Sequence, residues 1–275
     1  MKMYFITVSE MLGTKGDEIA QKVTKGLNYA YYGEAELLKF AEGMGFLGDV
    51  RRLDEKGPPL LEKFFSEKPK VYLDRLQSVI FEVAKKGDAL FFGKGSQLLL
   101  NSFNCALHVL VTGSPEKRIQ RLMDEKKVDR EIAEKMIRRS DQDKKGFLRF
   151  AFEEDWLNPN LYDLVLNTDK LTPDSAAKMV MEAAKSDGIK ACGVDSMKLL
   201  EKLSLQRKVE AASLESGLES QHTFYEVEDG ETVRIYGIAY SLQEKEALEK
   251  TMKGIHGVKK VINNLTLFAG AMGGA

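Results

Sequence analysis

The sequence predicts an α/β fold: a parallel sheet flanked by helices, followed by a small C-terminal α+β module. Three observations carry this. Short apolar runs alternate with helical patterns through the first 185 residues, the signature of parallel strands covered on both faces. Glycine turns (Gly13 to Gly16, Gly93 to Gly95, Gly113) follow those runs, where ligands bind in such sheets. After residue 185 the texture changes to half-buried strands and a short helix.

Residues 3–8 (Met-Tyr-Phe-Ile-Thr-Val) read as the first buried strand. The next helix carries Ile19, Val23 and Leu27 on one face of a 3.6-residue period. Residues 44–69 are rich in Gly, Pro, Lys and Glu and are expected to form a mobile insertion, where a phosphotransferase often places its acceptor site. A helix follows with Leu73, Leu76, Ile80 and Val83 on one face. Residues 88–95, 106–112 and 162–168 read as the second, third and fourth strands.

The charged stretch from Glu116 to Lys145 reads as a helical hairpin. Two interpretations stay open: a lid closing over phosphates, or a solvated helix pair laced with i,i+4 ion pairs. Val233, Ile235 and Gly237 alternate with Arg234 and Tyr236 as a half-buried strand. A helix carrying Leu242, Leu248 and Met252 follows, then a strand with Val261, Asn263, Leu265 and Leu267 on one face; this module is expected to hold an antiparallel sheet. The expected division is a first domain over 1–187, a linker over 188–195, a second domain over 196–269 and a disordered tail over 270–275.

Composition narrows the function. The chain has 275 residues, a net charge of −1, 43% hydrophobic and 30% charged residues, ordinary for a globular protein. Near-neutral charge argues against general nucleic-acid binding. Cys105 and Cys192 have no metal-ligand spacing and are expected to be reduced thiols of a cytoplasmic protein. The three histidines make a zinc site improbable. His108 is expected in the core and His256 in a turn, with Trp156 and Tyr162 as core or platform aromatics. No signal peptide is expected, since no basic region precedes an apolar core at the N-terminus, and no transmembrane segment is expected, since no apolar run approaches roughly 20 residues.

Residues 6–20 read as strand, tight glycine turn, then helix, a layout that lets backbone N–H groups and a helix N-terminus hold a phosphate. A working phosphate loop reads G-x-x-x-x-G-K-[ST], with lysine on the phosphates and a hydroxyl on magnesium. Here Lys15 sits one place early, Gly16 occupies the lysine position and Asp17 replaces the hydroxyl residue. At a helix N-terminus Asp17 and Glu18 stabilise the dipole by about 0.3–1 kcal/mol each, and they repel a triphosphate.

Several motifs occur in order: Ile6-Thr7-Val8-Ser9 with Gly13 and Gly16-Asp17-Glu18-Ile19-Ala20, then Tyr31-Tyr32, Phe92-Gly93-Lys94-Gly95 and Pro115-Glu116-x-Arg118-Ile119. The Arg139-to-Lys144 stretch, Asp155-Trp156 and residues 162–168 complete them. Across residues 3–183 this order resembles the cytidylate kinase-like family, a branch of the P-loop nucleoside monophosphate kinases. The ending Gly257-Val258-x-x-Val261-x-Asn263-x-Leu265 resembles a BON domain, covering about 196–268.

The resemblance implies ATP and Mg2+ as cofactors and a nucleotide as partner. It places ATP phosphates on Gly13, Thr14, Lys15, Gly16 and Asp17, with Arg138, Lys144 and Arg149 as further cations of the binding site. It gives Lys15, Lys94 and Arg139 the catalytic task of neutralising charge. Lys94 stands where the related kinases hold the acceptor phosphate with an arginine, and loses its bidentate geometry; the open alternative is a lysine in a surface turn. Gly95 cannot read a base. BON domains are small binding modules, which implies a homo-oligomer or attachment to a surface or ligand. The expectation is a nucleoside monophosphate kinase-like protein of weak or altered activity. The alternative is a non-catalytic nucleotide-binding protein, a pseudokinase, whose BON module mediates assembly or binding.

Overall fold

A computed structural model of the protein describes residues 4–44, 69–216 and 222–268. The expected insertion at 44–69 falls almost wholly outside the described residues, and the expected tail at 270–275 lies entirely outside them. The chain packs as two compact units, one of residues 1–39 with 86–193, the other of 40–85 with 194–275.

Strands β1 (Phe5–Glu10), β2 (Ala30–Tyr32), β3 (Ala89–Phe92), β4 (Ala106–Thr112) and β5 (Leu164–Asn167) form a five-stranded sheet in the order β2-β3-β1-β4-β5. Every pairing in it is parallel, as expected from strands separated by helices. Helices α1 (Gly16–Leu27) and α2 (Glu34–Gly43) flank β2 in sequence. Helix α3 (Pro69–Ala84) precedes β3, and the single-turn α4 (Ser96–Leu99) follows it. Helices α5 (Pro115–Lys126), α6 (Arg130–Phe152) and α7 (Pro173–Ala183) complete the elements around this sheet.

The predicted face of α1 is realised: Ile19, Ala20 and Val23 pack with Ile6, Val8, Val109 and Val111 of the strands and with Ala176, Ala177 and Val180 of α7. The charged hairpin is α5 with α6, closed on a satellite core of Ile119, Leu122, Ala133 and Ile137. Arg130 bonds Glu116 across the hairpin and Glu134 within α6. His108 is a satisfied core residue, its Nδ1 lying 2.8 Å from the Thr7 hydroxyl. Burial pushes its pKa down, against the pull of Asp163.

Cys105 and Cys192 form a disulfide, not the expected pair of thiols; their Cα atoms lie 5.2 Å apart. Their sequence separation of 87 concealed this. The chain after α7 returns alongside the start of β4, where the Lys190 N–H donates to the Asn104 carbonyl at 3.1 Å.

The second unit contains helix α8 (Val194–Ser216), strands β6 (Thr223–Val227) and β7 (Thr232–Ala239), helix α9 (Leu242–Lys253) and strand β8 (Lys260–Leu267). β6 pairs antiparallel with β7, but β7 pairs parallel with β8, so the sheet is mixed rather than the antiparallel sheet expected. Helix α9 is the crossover that a parallel pairing requires. Leu205 and Val209 of α8 and Leu248 and Met252 of α9 cover one face, over Val233, Ile235, Ala239 and Leu265.

Helix α3 packs along α8 in this unit. There Glu82 accepts from the Ser204 hydroxyl (2.7 Å), Lys208 Nζ (2.8 Å) and Lys85 Nζ (3.0 Å). Burial raises its pKa, but the Lys208, Ser204 and Lys85 donors outweigh burial and hold the carboxyl down at about 2. A depressed folded pKa contributes stability above the unfolded value of about 4.3, lost as pH falls toward the folded one. The Glu82 side chain is 21% exposed, and solvent screening leaves a contribution of about 1–2 kcal/mol. Glu82→Gln is expected to lower the neutral-pH urea midpoint and to flatten the stability profile between about pH 4.5 and about pH 2. An unchanged acid limb contradicts this assignment.

Candidate phosphate-loop site

The site is built where β1 turns into α1. Gly13 has φ +87°, and a Cβ there would lie 2.7 Å from the Arg118 carbonyl oxygen, so only glycine fits. The Thr14 hydroxyl donates to the Met11 carbonyl at 2.7 Å and closes the turn. Lys15 caps α1 in the left-handed region at φ 63°, and Gly16 opens the helix. The loop therefore sits at the carboxyl end of the central strand with a helix N-terminus facing it, the arrangement that binds anions.

An anion is already there, supplied by the chain. The Glu10 carboxylate turns into the loop and its Oε2 accepts the Gly16 N–H at 2.8 Å. A Cβ on Gly16 would lie 2.6 Å from that oxygen, so the contact requires glycine at this position. Burial pushes the Glu10 pKa up, Asp17 adds to this, and Lys144 with the Gly16 bond opposes it.

Lys144 of α6 donates to the Glu10 backbone carbonyl at 2.7 Å and to the Ser140 hydroxyl at 3.2 Å. Its ammonium lies 5.6 Å from the centre of the Trp156 ring. Burial lowers its pKa, while Glu10 and Asp141 hold it up. Asp17 accepts from the Tyr31 hydroxyl at 2.5 Å and from Gln21 Nε2 at 2.8 Å. Burial, then Asp17, pushes the Tyr31 pKa up.

Arg118, only 2% exposed, ties the hairpin to the loop. Its Nε donates to the Leu12 carbonyl at 2.8 Å, and one terminal nitrogen reaches both Asp141 oxygens at 2.7 and 3.0 Å. Arg121 donates to the Thr168 hydroxyl at 2.9 Å, and that hydroxyl donates to the Thr14 carbonyl at 3.1 Å. The hairpin thus carries surface ion pairs on its outside and grips the loop from its inside. The solvated, ion-paired helix pair describes the outside of that stretch.

The structure gathers Gly13, Thr14, Gly16, Asp17 and Lys144 around the loop mouth. Lys15 stands at the loop with an exposed side chain, 3.7 Å from Glu18. Lys94 occupies the turn after β3 at φ 59° and pairs with Glu34 at 2.9 Å. Arg138 faces Glu134 at 3.7 Å with its side chain 61% exposed, and Arg139 and Arg149 lie exposed on α6. Beside the Gly93-Lys94-Gly95 turn runs a buried polar chain. The Ser9 hydroxyl donates to Gln97 Oε1, Gln97 Nε2 donates to the Tyr162 hydroxyl, and Tyr162 donates to the Trp156 carbonyl.

Sequence reasoning missed Glu10 and the structural role of Arg118. A signal for Glu10 exists: on the G-x-x-x-x-G-K-[ST] frame that puts Gly16 at the lysine position, Glu10 stands at the first glycine. A side chain there begins inside the loop. Arg118 stood in the Pro115-Glu116-x-Arg118-Ile119 motif, but nothing in the local pattern gave it Leu12 and Asp141 as partners.

Among solved structures, an uncharacterized protein from Eubacterium ventriosum is similar at 19% identity with a TM-score of 0.54, covering 67% of this chain and 99% of that one. A shikimate kinase from Bacteroides thetaiotaomicron is similar at 12% identity and a TM-score of 0.42, covering 67% and 99%. A gluconokinase from Sinorhizobium meliloti stands at 10% and 0.40, covering 66% and 91%. Among curated proteins, no sequence matches. Residues 203–267 match the BON domain. Residues 5–170 match the cytidylate kinase-like family, and the chain belongs to that family.

Proposed function

We propose that this protein is a kinase-like nucleotide-binding protein with weak or altered phosphoryl transfer. The observation that carries the reading is the Gly16 N–H, which already holds an anionic oxygen at 2.8 Å at the mouth of a strand-to-helix loop. In this reading ATP phosphates lie over Gly13, Thr14, Lys15 and Gly16, with Lys144 behind them. Lys94 and Arg139 face the acceptor and the transferred group. Transfer breaks the bond between the terminal phosphorus and the ADP oxygen and makes one to an acceptor oxygen; the protein positions the groups and neutralises charge. Weakness follows from charge: Lys15 is paired to Glu18 and Lys94 to Glu34, and Glu10 and Asp17 bring negative charge to the loop mouth. Among the described residues no three His, Cys, Asp or Glu side chains converge as metal ligands; a Mg2+ ion accompanying ATP would take most of its ligands from phosphates and water.

The second reading, a non-catalytic protein whose BON module mediates assembly, is favoured by a different observation. The outer face of the second sheet exposes Phe224, Tyr236, Ile238 and Tyr240, with Phe224 stacked on Tyr236 at 5.6 Å. Apolar patches of this kind mark interaction surfaces. A cytoplasmic location belongs to either reading, although a disulfide such as Cys105–Cys192 is unusual in a reducing compartment.

Calorimetry with ATP, ADP and CMP, followed by a coupled phosphotransfer assay, separates the two. The first reading expects saturable ATP binding with a Kd of about 0.1–1 mM and slow turnover that Lys15→Ala reduces. Binding without turnover, with a dimeric mass by light scattering, selects the second.

A further inference from the structure

The phosphate loop of this protein carries its own anionic ligand. Glu10 lies at the end of β1, where the phosphate-loop frame has glycine, and its Oε2 takes the Gly16 N–H at 2.8 Å. The same oxygen lies 3.5 Å from the Thr14 hydroxyl oxygen. Each side of this contact needs the other residue as it is. Gly16 leaves room that a Cβ would fill, and Glu10 has the reach and the charge to use it. Lys144 grips the backbone carbonyl of Glu10 rather than its carboxylate, so the ammonium stays in place if the side chain turns away.

We propose that Glu10 is a built-in counter-ligand: its carboxylate holds the backbone N–H that a phosphate oxygen would take, so phosphate enters only when Glu10 swings out. This rests on reading the loop as a nucleotide-phosphate site. One N–H cannot serve a carboxylate and a phosphate together, and two anions at such range repel. The departure also uncovers an anion site with a cation, Lys144, beside it.

The groups facing Glu10 are Lys144 from α6, Asp17 and the Gly16 N–H from α1, and Thr14 from the loop. Burial and Asp17 favour the neutral carboxyl, while Lys144 and the two hydrogen bonds favour the charged one. The net direction is upward, so Glu10 takes up a proton at higher pH than an exposed glutamate. Neutral Glu10 is a weaker acceptor and no longer repels phosphate, so acidification opens the loop.

Isothermal titration of the full chain with ATP and with inorganic tripolyphosphate compares wild type, Glu10→Ala and Glu10→Gln. The expected result is that Glu10→Ala binds both probes about tenfold more tightly than wild type. Glu10→Gln retains an acceptor without charge and gains about threefold, which carries the test if the alanine variant fails to fold. Wild-type affinity for tripolyphosphate is expected to rise relative to Glu10→Gln as pH falls from neutral toward the ordinary glutamate range. Binding of ATP and of tripolyphosphate that is each equal in all three forms overturns the counter-ligand and leaves the nucleotide reading standing. Tripolyphosphate affinity that rises in the variants while ATP affinity does not overturns the nucleotide reading and keeps the counter-ligand. Failure of every form to bind either probe overturns both.

Discussion

Arg118→Ala is expected to destabilise the first unit by about 3 kcal/mol, at the low end of the range for breaking a buried ion pair. The guanidinium is almost wholly enclosed and makes three hydrogen bonds, one to the Leu12 carbonyl and two to Asp141. Its removal leaves the loop carbonyl without that donor and Asp141 without its cation. The Asp141 side chain is 28% exposed, so water recovers part of the loss, which keeps the estimate low. The effect extends to the site, because this arginine joins α5, α6 and the turn before Gly13. Urea unfolding of Arg118→Met, Asp141→Leu and the double variant separates pairing from packing. The double variant is expected to be more stable than the sum of the single losses predicts, since neither charge is then left alone. Additive losses contradict a direct coupling.

Gly237→Ala is expected to cost at least about 3 kcal/mol and to detach β6 from the second sheet. Gly237 has φ +119°, and a Cβ there would lie 1.9 Å from the His222 carbonyl oxygen. The obstacle is backbone, with no flexible side chain to yield. The Ile238 N–H donates to that same carbonyl at 2.9 Å, so relief requires opening the β6–β7 pairing. Gly257→Ala is the matched control. Its φ is +103°, but the nearest atom is Leu205 Cδ1 at 3.7 Å, so backbone strain alone applies, about 1 kcal/mol. Thermal melts of the two variants are expected to differ by roughly 5 °C or more. Equal melting temperatures would remove the steric argument.

How much of this was legible in the sequence depended on the kind of signal. β1, β3 and β4 stood out because short apolar runs end in glycine turns, and β5 because a short apolar run stands between helical patterns. β2 did not, because three residues, Ala30–Tyr32, carry no period. Helix α8 escaped because its buried positions include Ser204 and Ser213, which blur its apolar face. The parallel pairing of β7 with β8 was within reach, since a helix had been read between the two strands and a helix implies a crossover. The Cys105–Cys192 pair was not, because spacing along the chain says nothing about the return of residues 186–193. The loop's place in the fold was readable from its glycines. Its internal ligand required asking what the residue at the first glycine position does with its side chain.

The Gly16 amide reports most directly on whether the loop is self-occupied. In nitrogen-15 spectra, its proton resonance is expected to lie downfield in wild type, as a charge-assisted bond to Glu10 requires. It should move as pH falls through the raised Glu10 pKa. In Glu10→Ala it should shift upfield and then respond to added tripolyphosphate. A Gly16 amide resonance that is the same in wild type and Glu10→Ala, and indifferent to pH, would contradict the account.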